Sequence, residues 1–464
     1  MPLSYPSRWE GYDSLLSRQD SWDRSGRMMR GGCIVDKREW NKSNRLGGIR
    51  FFLYILLAIE FWMIIYLFFC FRYAGPLSRL GFMFPIPFFS VEDCWMDFIN
   101  PIHYAWELDP YSAYWGNSPP FMMWIAYLLS WPIKIGIPEY FVYLIYYLLG
   151  ISVSLYFFFR VSNKYGLNFG ESLILSVTAI ISFPYIYCFD RGNYVFLAAV
   201  AIIIFICAYD EERYFLAAFF LGIAAALKLY PALLGIVFLV DKKFKQAFFC
   251  AATGIVTSIT PLFLFQGGFQ RNLNIFLEKS GSYTKIGNGI LGWLVDDKNS
   301  FYQLLLVPRM MGKTSLQDIT QVPEYVASFK LCLTVLLMFI VLSCFFLKKK
   351  HDQFLILIMM MVGYPIESGV YNLVIAVFPI VYWCSQESEN RIIPCLGGAL
   401  VMMKSVFVLQ FEPVYITLQA IANPLLELAI IIYIYYLRRK SLISNFMSFC
   451  RWLRKEKKGK RMEC

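Results

Sequence analysis

FFLYILLAIEFWMIIYLFFCF, residues 51–71, carries a single charged residue, Glu60, in a run long enough to cross a hydrocarbon core, which takes about 20 residues as a helix. The fifty residues before it are polar, with ten Lys/Arg and six Asp/Glu, and lack the short apolar core and small-residue cleavage site of a secretory signal. The run therefore reads as a true membrane-spanning helix and not as a cleaved leader. The whole chain agrees with it: 464 residues are 58% hydrophobic, 19% aromatic and only 16% charged, against about 25% charged in a soluble domain. Soluble folds are excluded on that ground.

Further apolar segments follow at 139–159, 171–189, 194–208, 213–227, 229–240, 245–266, 326–347, 353–366, 370–384, 391–410 and 414–437, twelve spans with the first. Several have only 12 to 15 residues, so pairs of them read as broken helices meeting inside the protein. The expected fold is an all-α integral membrane protein, a multi-pass bundle of about 10–13 helices. The run PPFMMWIAYLLSW from Pro119 is read as an interfacial or re-entrant helix, because a thirteenth crossing would invert everything after it. With the N-terminus inside, thirty Lys/Arg face sixteen acidic residues on the inner side (+14), and eleven face fourteen outside (−3). The positive-inside rule supports that orientation. It divides the chain into a cytoplasmic basic segment 1–50, a membrane domain 51–437 with large outer loops at 72–138 and 267–325, and a cytoplasmic tail 438–464.

The net charge of +11 is thereby explained as a topology anchor, not a nucleic-acid signal. The tail RWLRKEKKGKRMEC lacks the interleaved aromatic platforms of a nucleic-acid site and meets anionic headgroups instead. Twelve scattered cysteines without CxxC spacing read as buried apolar thiols, and two histidines, His103 and His351, are too few for a histidine-rich metal site.

The same topology gathers the unusual residues on the outer side. The loop SVEDCWMDFINPIHYAWELDPYSAYWGNSPPF, 90–121, interleaves five carboxylates (Glu92, Asp93, Asp97, Glu107, Asp109) with aromatic rings suited to short interfacial helices. A carboxylate there can take a proton from a sugar hydroxyl; a solvated acidic loop is the plainer reading, and His103 is first of all a hydrogen-bonded interface residue. In DRGNYVFLAAV, 190–200, Gly192 permits a tight turn and Arg191 can fork onto a phosphate beside a helix N-terminus, or Asp190 pairs with Arg191 or caps the helix. In AAALKLYPALL, 224–234, Lys228 sits where Pro231 interrupts an uncharged run; snorkelling to the interface is the alternative. Glu367 and Tyr371 share a helix face if the helix continues through Gly369. Glu60, Lys404 and Glu427, deeper in spans, are expected to pair with one another.

Together the acidic first loop with its PPF, the glycine-asparagine corner, the Lys228-x-x-Pro231 element, IGNGILGWL at 286–294 and YPIESGVYNLVIAVFP at 364–379 resemble the glycosyltransferase C superfamily. They are most similar, over about residues 90–435, to glycosyltransferase family 87, polyprenyl-phosphate-mannose-dependent mannosyltransferases. The resemblance implies a polyprenyl-phosphate sugar donor, a glycolipid or glycan acceptor, and outer amphipathic helices over the active site. It implies Asp97 as general base, Arg191 and Lys228 as donor-phosphate contacts, and Asn193 as a polar site residue; Asp190, Glu367, Tyr371 and His103 are further substrate-binding candidates. Asp93 or Asp109 is the alternative base. Where many members have an asparagine-rich loop and a late histidine-tyrosine turn, this chain has Asn288-Gly289 and Tyr371-Asn372, leaving sugar and acceptor open.

The expected chemistry is direct displacement with inversion, needing no cofactor and no metal, since no DxD motif is present. A polyprenyl-linked glycan flippase and an O-antigen-type polymerase are the rival readings; no internal repeat of the transporter kind is visible. The sole N-x-S/T sequon, Asn41-Lys42-Ser43, falls on the inner side, which leans towards a bacterial inner membrane over the endoplasmic reticulum.

Overall fold

The computed structural model describes residues 27–30, 33–72, 94–112, 118–283, 298–310, 323–366, 368–387, 389–405, 407–411 and 414–462. A two-stranded hairpin, β1 (Arg27–Arg30) and β2 (Cys33–Asp36), leads into α1 (Lys37–Arg72), so the first helix begins well before its apolar run. Two short helices follow, α2 (Met96–Ala105) and α3 (Pro120–Lys134). Pro120 suits the first turn of α3, where its missing N–H costs nothing. Next come α4 (Glu139–Lys164), α5 (Phe169–Ile180), α6 (Phe183–Arg191), α7 (Val195–Asp210) and α8 (Tyr214–Leu227). Asn168 and Glu171 form a reciprocal capping box that starts α5.

After α8 the chain tightens into a 3₁₀ turn, Tyr230–Gly235, then α9 (Ile236–Val240), α10 (Phe244–Leu264) and α11 (Gly268–Tyr283). The remaining helices are α12 (Gln303–Met310), α13 (Pro323–Ser343), α14 (Lys350–Gly363), a 3₁₀ turn Val370–Leu373 leading into α15 (Val374–Gln386), and α16 (Ile392–Val401). A second hairpin, β3 (Phe407–Phe411) with β4 (Val414–Thr417), precedes α17 (Leu418–Met462).

The protein is a multi-pass helical membrane protein. Among the described residues, four segments are long and apolar enough to cross singly: Gly47–Phe69, Glu139–Lys164, Phe244–Leu264 and Leu418–Arg451. The expected span 171–189 is instead the pair α5 and α6, bent by 45° where Ser182 and Pro184 interrupt the ladder. The expected span 229–240 is split into a 3₁₀ turn and a five-residue helix. The expected span 391–410 is helical only to Val401, and 414–437 becomes helical only at Leu418, because the β3–β4 hairpin lies between them. Helix α17 continues through the segment expected as a tail. The bundle centre is α14 and α15, along which Phe354–Val362 and Val374–Ser385 are buried on every side, as a helix enclosed by other helices requires.

Glu60, Lys404 and Glu427 do not pair with one another, contrary to expectation. Lys404 Nζ donates to the carbonyls of Ala399 (2.6 Å), Leu400 (3.2 Å) and Met402 (2.7 Å), the open end of α16. This neutralises the orphan carbonyls that a helix leaves at its C-terminus. Glu427 accepts from Asn299, and the Glu60 carboxylate is buried with no hydrogen-bond partner among the described residues.

Ion pairs gather at one end of the bundle. Arg50 meets Glu171 at 2.8 Å, Arg160 meets Glu211 at 2.9 Å, and Lys164 meets Asp210 at 2.5 Å. Asp210 also accepts from Tyr382 at 2.6 Å, and Lys350 pairs with Asp241. Fully buried Asp352 accepts from Arg438 Nε at 2.6 Å and Trp383 Nε1 at 2.8 Å. Glu387 accepts from His351 at 3.0 Å and pairs with Lys349 and Arg438. These contacts tie together the turns after α4, α7, α9, α13 and α15. Burial opposes the charge on Glu387, but His351, Lys349 and Arg438 outweigh it and hold the carboxyl at about 2, below its ordinary 4.5.

Arg438→Met breaks a buried ion pair by removing one partner from Asp352, a loss of about 3–5 kcal/mol; thermal unfolding in detergent should show the lowered midpoint. Because Glu387 titrates lower in the folded chain than in the unfolded one, its stabilisation is complete above pH 4.5 and disappears as the pH falls towards 2. Glu387→Gln should therefore flatten the acid limb of a midpoint-against-pH curve.

Candidate active site

At the opposite end of the bundle, the break between α6 and α7 meets the start of α2. Gly192 closes α6 in the left-handed region, with φ 67°, and turns the chain abruptly into α7. Such a conformation suits glycine. A Cβ at Gly192 would also stand 2.8 Å from Phe98 Cβ and 3.0 Å from Trp95 Cα, so the absent side chain is what lets α2 dock on the corner. Trp95 mirrors it on the other side, left-handed at φ 64° and donating its N–H to the Asp190 carbonyl at 2.7 Å. Beneath the junction the buried Phe98 ring stacks on Tyr194 at 5.6 Å and leans on Tyr143 and Tyr146 at 4.9 and 5.0 Å. Tyr143 and Tyr147 donate to the Phe189 and Tyr185 carbonyls, which ties α4 to α6.

This docking delivers Asp97, in the first turn of α2, onto the corner. Its Oδ1 accepts from Arg191 Nη2 at 3.2 Å and its Oδ2 from Asn193 Nδ2 at 2.9 Å. Asn193 turns its own Oδ1 to the N–H of Val195 at 2.9 Å, so one side chain both starts α7 and holds the carboxylate. Asp97 and Arg191 remain about a quarter exposed, at 28% and 22%, which leaves them accessible to a ligand. Lys228, half-buried and extended at the end of α8, lies within electrostatic reach of Asp97. Burial pulls its ammonium below the usual lysine range, and Asp97 pushes it back up.

The other candidates divide. Asp190 is buried and accepts from Cys94 Sγ at 3.2 Å, in a supporting position behind the corner. Tyr371 is half-buried on the 3₁₀ turn Val370–Leu373, which packs against α6. The helix needed to align it with Glu367 does not run through Gly369, whose backbone is extended (φ −82°, ψ 161°) and bridges to Lys298; Glu367 itself lies outside the described residues. His103, near the far end of α2, is exposed and hydrogen-bonded to Glu139 at 2.7 Å. Of the alternative bases, Asp93 lies outside the described residues, and Asp109 is held bidentately by Arg271 at 2.8 and 3.0 Å. IGNGILGWL is likewise outside them.

Three features were not anticipated from the sequence. Arg271 clamps the first loop to α11, and Lys134 donates to the Trp106 carbonyl at 2.5 Å while lying over the Trp106 and Tyr127 rings. Tyr230, two residues beyond Lys228, donates to Asn372 Oδ1 at 2.9 Å, and Asn372 donates to Ser368 Oγ at 2.9 Å. The late Tyr371-Asn372 pair was a visible signal for the last contact; the spacing carries none for the other two.

Gly192→Ala should cost at least about 1 kcal/mol from the backbone conformation alone and more from the clash with α2. Thermal unfolding and an activity assay should both register it, and Phe98→Ala, which empties the aromatic support, should cost about 3–5 kcal/mol.

Arranged this way, the end of the bundle offers one partly exposed carboxylate able to accept a proton, two cations able to hold a phosphate, and the short helix α2 beside them. No curated protein matches the chain. The model of glycosyltransferase family 87 matches residues 117–365, more than half of the sequence and including Arg191, Asn193 and Lys228, although it begins after Asp97. A membrane glycosyltransferase by its family, with sugar donor and acceptor substrates, the chain belongs to glycosyltransferase family 87.

Proposed function

We propose that the protein transfers a hexose, mannose in the first instance, from a polyprenyl-phosphate donor to a lipid-linked or cell-envelope glycan acceptor. The observation that carries this reading is the convergence of Asp97, Arg191, Asn193 and Lys228 from three separate segments. A polyprenyl-linked sugar places its tail in the bilayer and its phosphate at the interface. An end of the bundle with cations beside a partly exposed carboxylate, in reach of the hydrocarbon, suits such a molecule.

In the proposed reaction the acceptor hydroxyl attacks the anomeric carbon, and the bond from that carbon to the phosphate oxygen breaks with inversion. Asp97 takes the hydroxyl proton. The departing polyprenyl phosphate carries the displaced electron pair, and Arg191 and Lys228 stabilise its charge. Asn193 fixes the Asp97 carboxylate so that Arg191 is able to divide its donors between carboxylate and phosphate. Asp190 and Tyr371 support the corner and the neighbouring turn, while Glu367 remains a substrate-binding candidate. His103, paired with Glu139, would act at the edge of the site through the interfacial helix. The reaction face is proposed to be the outer one, with both termini cytoplasmic in a bacterial inner membrane.

Purified protein supplied with polyprenyl-phosphate-mannose should transfer mannose and should not use diphosphate-linked glycans; the reverse preference would indicate a polymerase, and movement of lipid-linked glycan without transfer a flippase. Asp97→Asn should lower turnover by about 10²-fold or more while donor binding is retained. Lys228→Ala should chiefly weaken donor binding, and unchanged donor affinity would remove it from the phosphate site.

A further inference from the structure

A second set of polar groups lies on the last helix, apart from Asp97. Helix α17 presents Gln419, Asn423 and Glu427 at four-residue spacing, which stacks them on one face. All three are buried, at 0%, 1% and 0% exposure, and so is Asn299 at 0%, whose Nδ2 donates to Glu427 Oε1 at 2.6 Å. Among the described residues, the Gln419 carboxamide has no hydrogen-bond partner at either Oε1 or Nε2. Neither have Asn423 Oδ1, Glu427 Oε2 or Asn299 Oδ1. Buried polar atoms left unpaired cost stability, and apolar side chains of the same size would remove that cost. Their alignment on one face therefore calls for a ligand that supplies the missing partners.

The chemistry of the set selects the ligand. Carboxamides offer donors and acceptors, a carboxylate offers acceptors, and the four side chains include no cation to prefer a phosphate. Hydroxyl groups, each a donor and an acceptor, match that mixture. The Phe301 ring stands beside Glu427: both crowd Gly363 so closely that a Cβ there would overlap Glu427 Oε2 and the ring. An apolar ring next to a carboxylate suits a pyranose, which has C–H faces and a hydroxyl rim. The set is also joined to the active-site end. The Asn299 N–H donates to the Ser368 carbonyl at 2.6 Å, Asn372 donates to Ser368 Oγ, and Tyr230 donates to Asn372. This series ends two residues from Lys228.

We propose that Gln419, Asn423, Glu427 and Asn299 form a neutral-sugar subsite that holds the acceptor. The proposal rests on the glycosyl-transfer reading above, and its test separates the two by measuring binding without donor in an Asp97→Asn background. The probe is octyl α-mannoside, titrated into protein in a detergent that carries no sugar, with octanol as the control. The parent should bind octyl α-mannoside and not octanol, and Gln419→Leu and Asn423→Leu should each weaken that binding at least tenfold. Binding of polyprenyl-phosphate-mannose should stay within twofold. Since Gln419 makes no hydrogen bond among the described residues, Gln419→Leu should fold as stably as the parent and keeps the test decisive if Asn423→Leu does not fold. Absence of octyl α-mannoside binding in the parent, or equal binding in parent and variants, would overturn the proposal and leave the face as a buried hydrated seam. Loss of donor binding in the variants would overturn the acceptor assignment, because the sugar held would then be the donor's. Failure of the protein with Asp97 intact to transfer mannose, with octyl α-mannoside binding retained, would count against the transfer reading alone.

Discussion

Hydrocarbon offers a protein no hydrogen-bond partner, and the distribution of polar groups follows from that. Every backbone N–H and C=O at membrane depth has to be satisfied within the chain, so the molecule is helical where it is surrounded by lipid and departs from helix only where other residues take up the freed groups. The departures are short and individually provisioned. The open end of α16 is met by Lys404, and α6, closed by Gly192, is braced on α4 by Tyr143 and Tyr147. Aromatic side chains with one polar tip suit such bracing, because the ring packs among apolar neighbours while the hydroxyl reaches a backbone carbonyl.

The same constraint gives Asp97 its setting. A carboxylate at the edge of an apolar bundle needs compensation, and the corner supplies it from a guanidinium, a carboxamide and a nearby ammonium. Arg191 and Asn193 hold the two oxygens of one carboxylate, so a change at either side chain alters the position of Asp97.

Much of this is visible in the residues before any coordinates. Runs such as 51–71 and 139–159 are long and predominantly apolar, and length with hydropathy suffices to place them as helices. The segment 171–189 has the same hydropathy, yet Ser182 and Pro184 bend it by 45°, a break that averaged hydropathy does not reveal. The hairpin at 407–417 is hidden for the same reason, because its residues are as apolar as the helices beside it. For the site, loop 90–121 and the corner 190–193 are each conspicuous alone, but Asp97 and Arg191 are separated by 94 positions, and no period connects them. The expected pairing of Glu60, Lys404 and Glu427 fails because charge alone guided it; Lys404 found carbonyls and Glu427 found an amide close by.

Cations and carboxylates from the turns after α4, α7, α9, α13 and α15 are laced together at one end of the bundle, with Arg438 of α17 reaching both Asp352 and Glu387. Asp352 is fully buried, and one guanidinium serves both it and Glu387. Arg438 thereby fastens α14 and the turn after α15 to the last helix, so a displacement of any one of these three elements is passed to the other two.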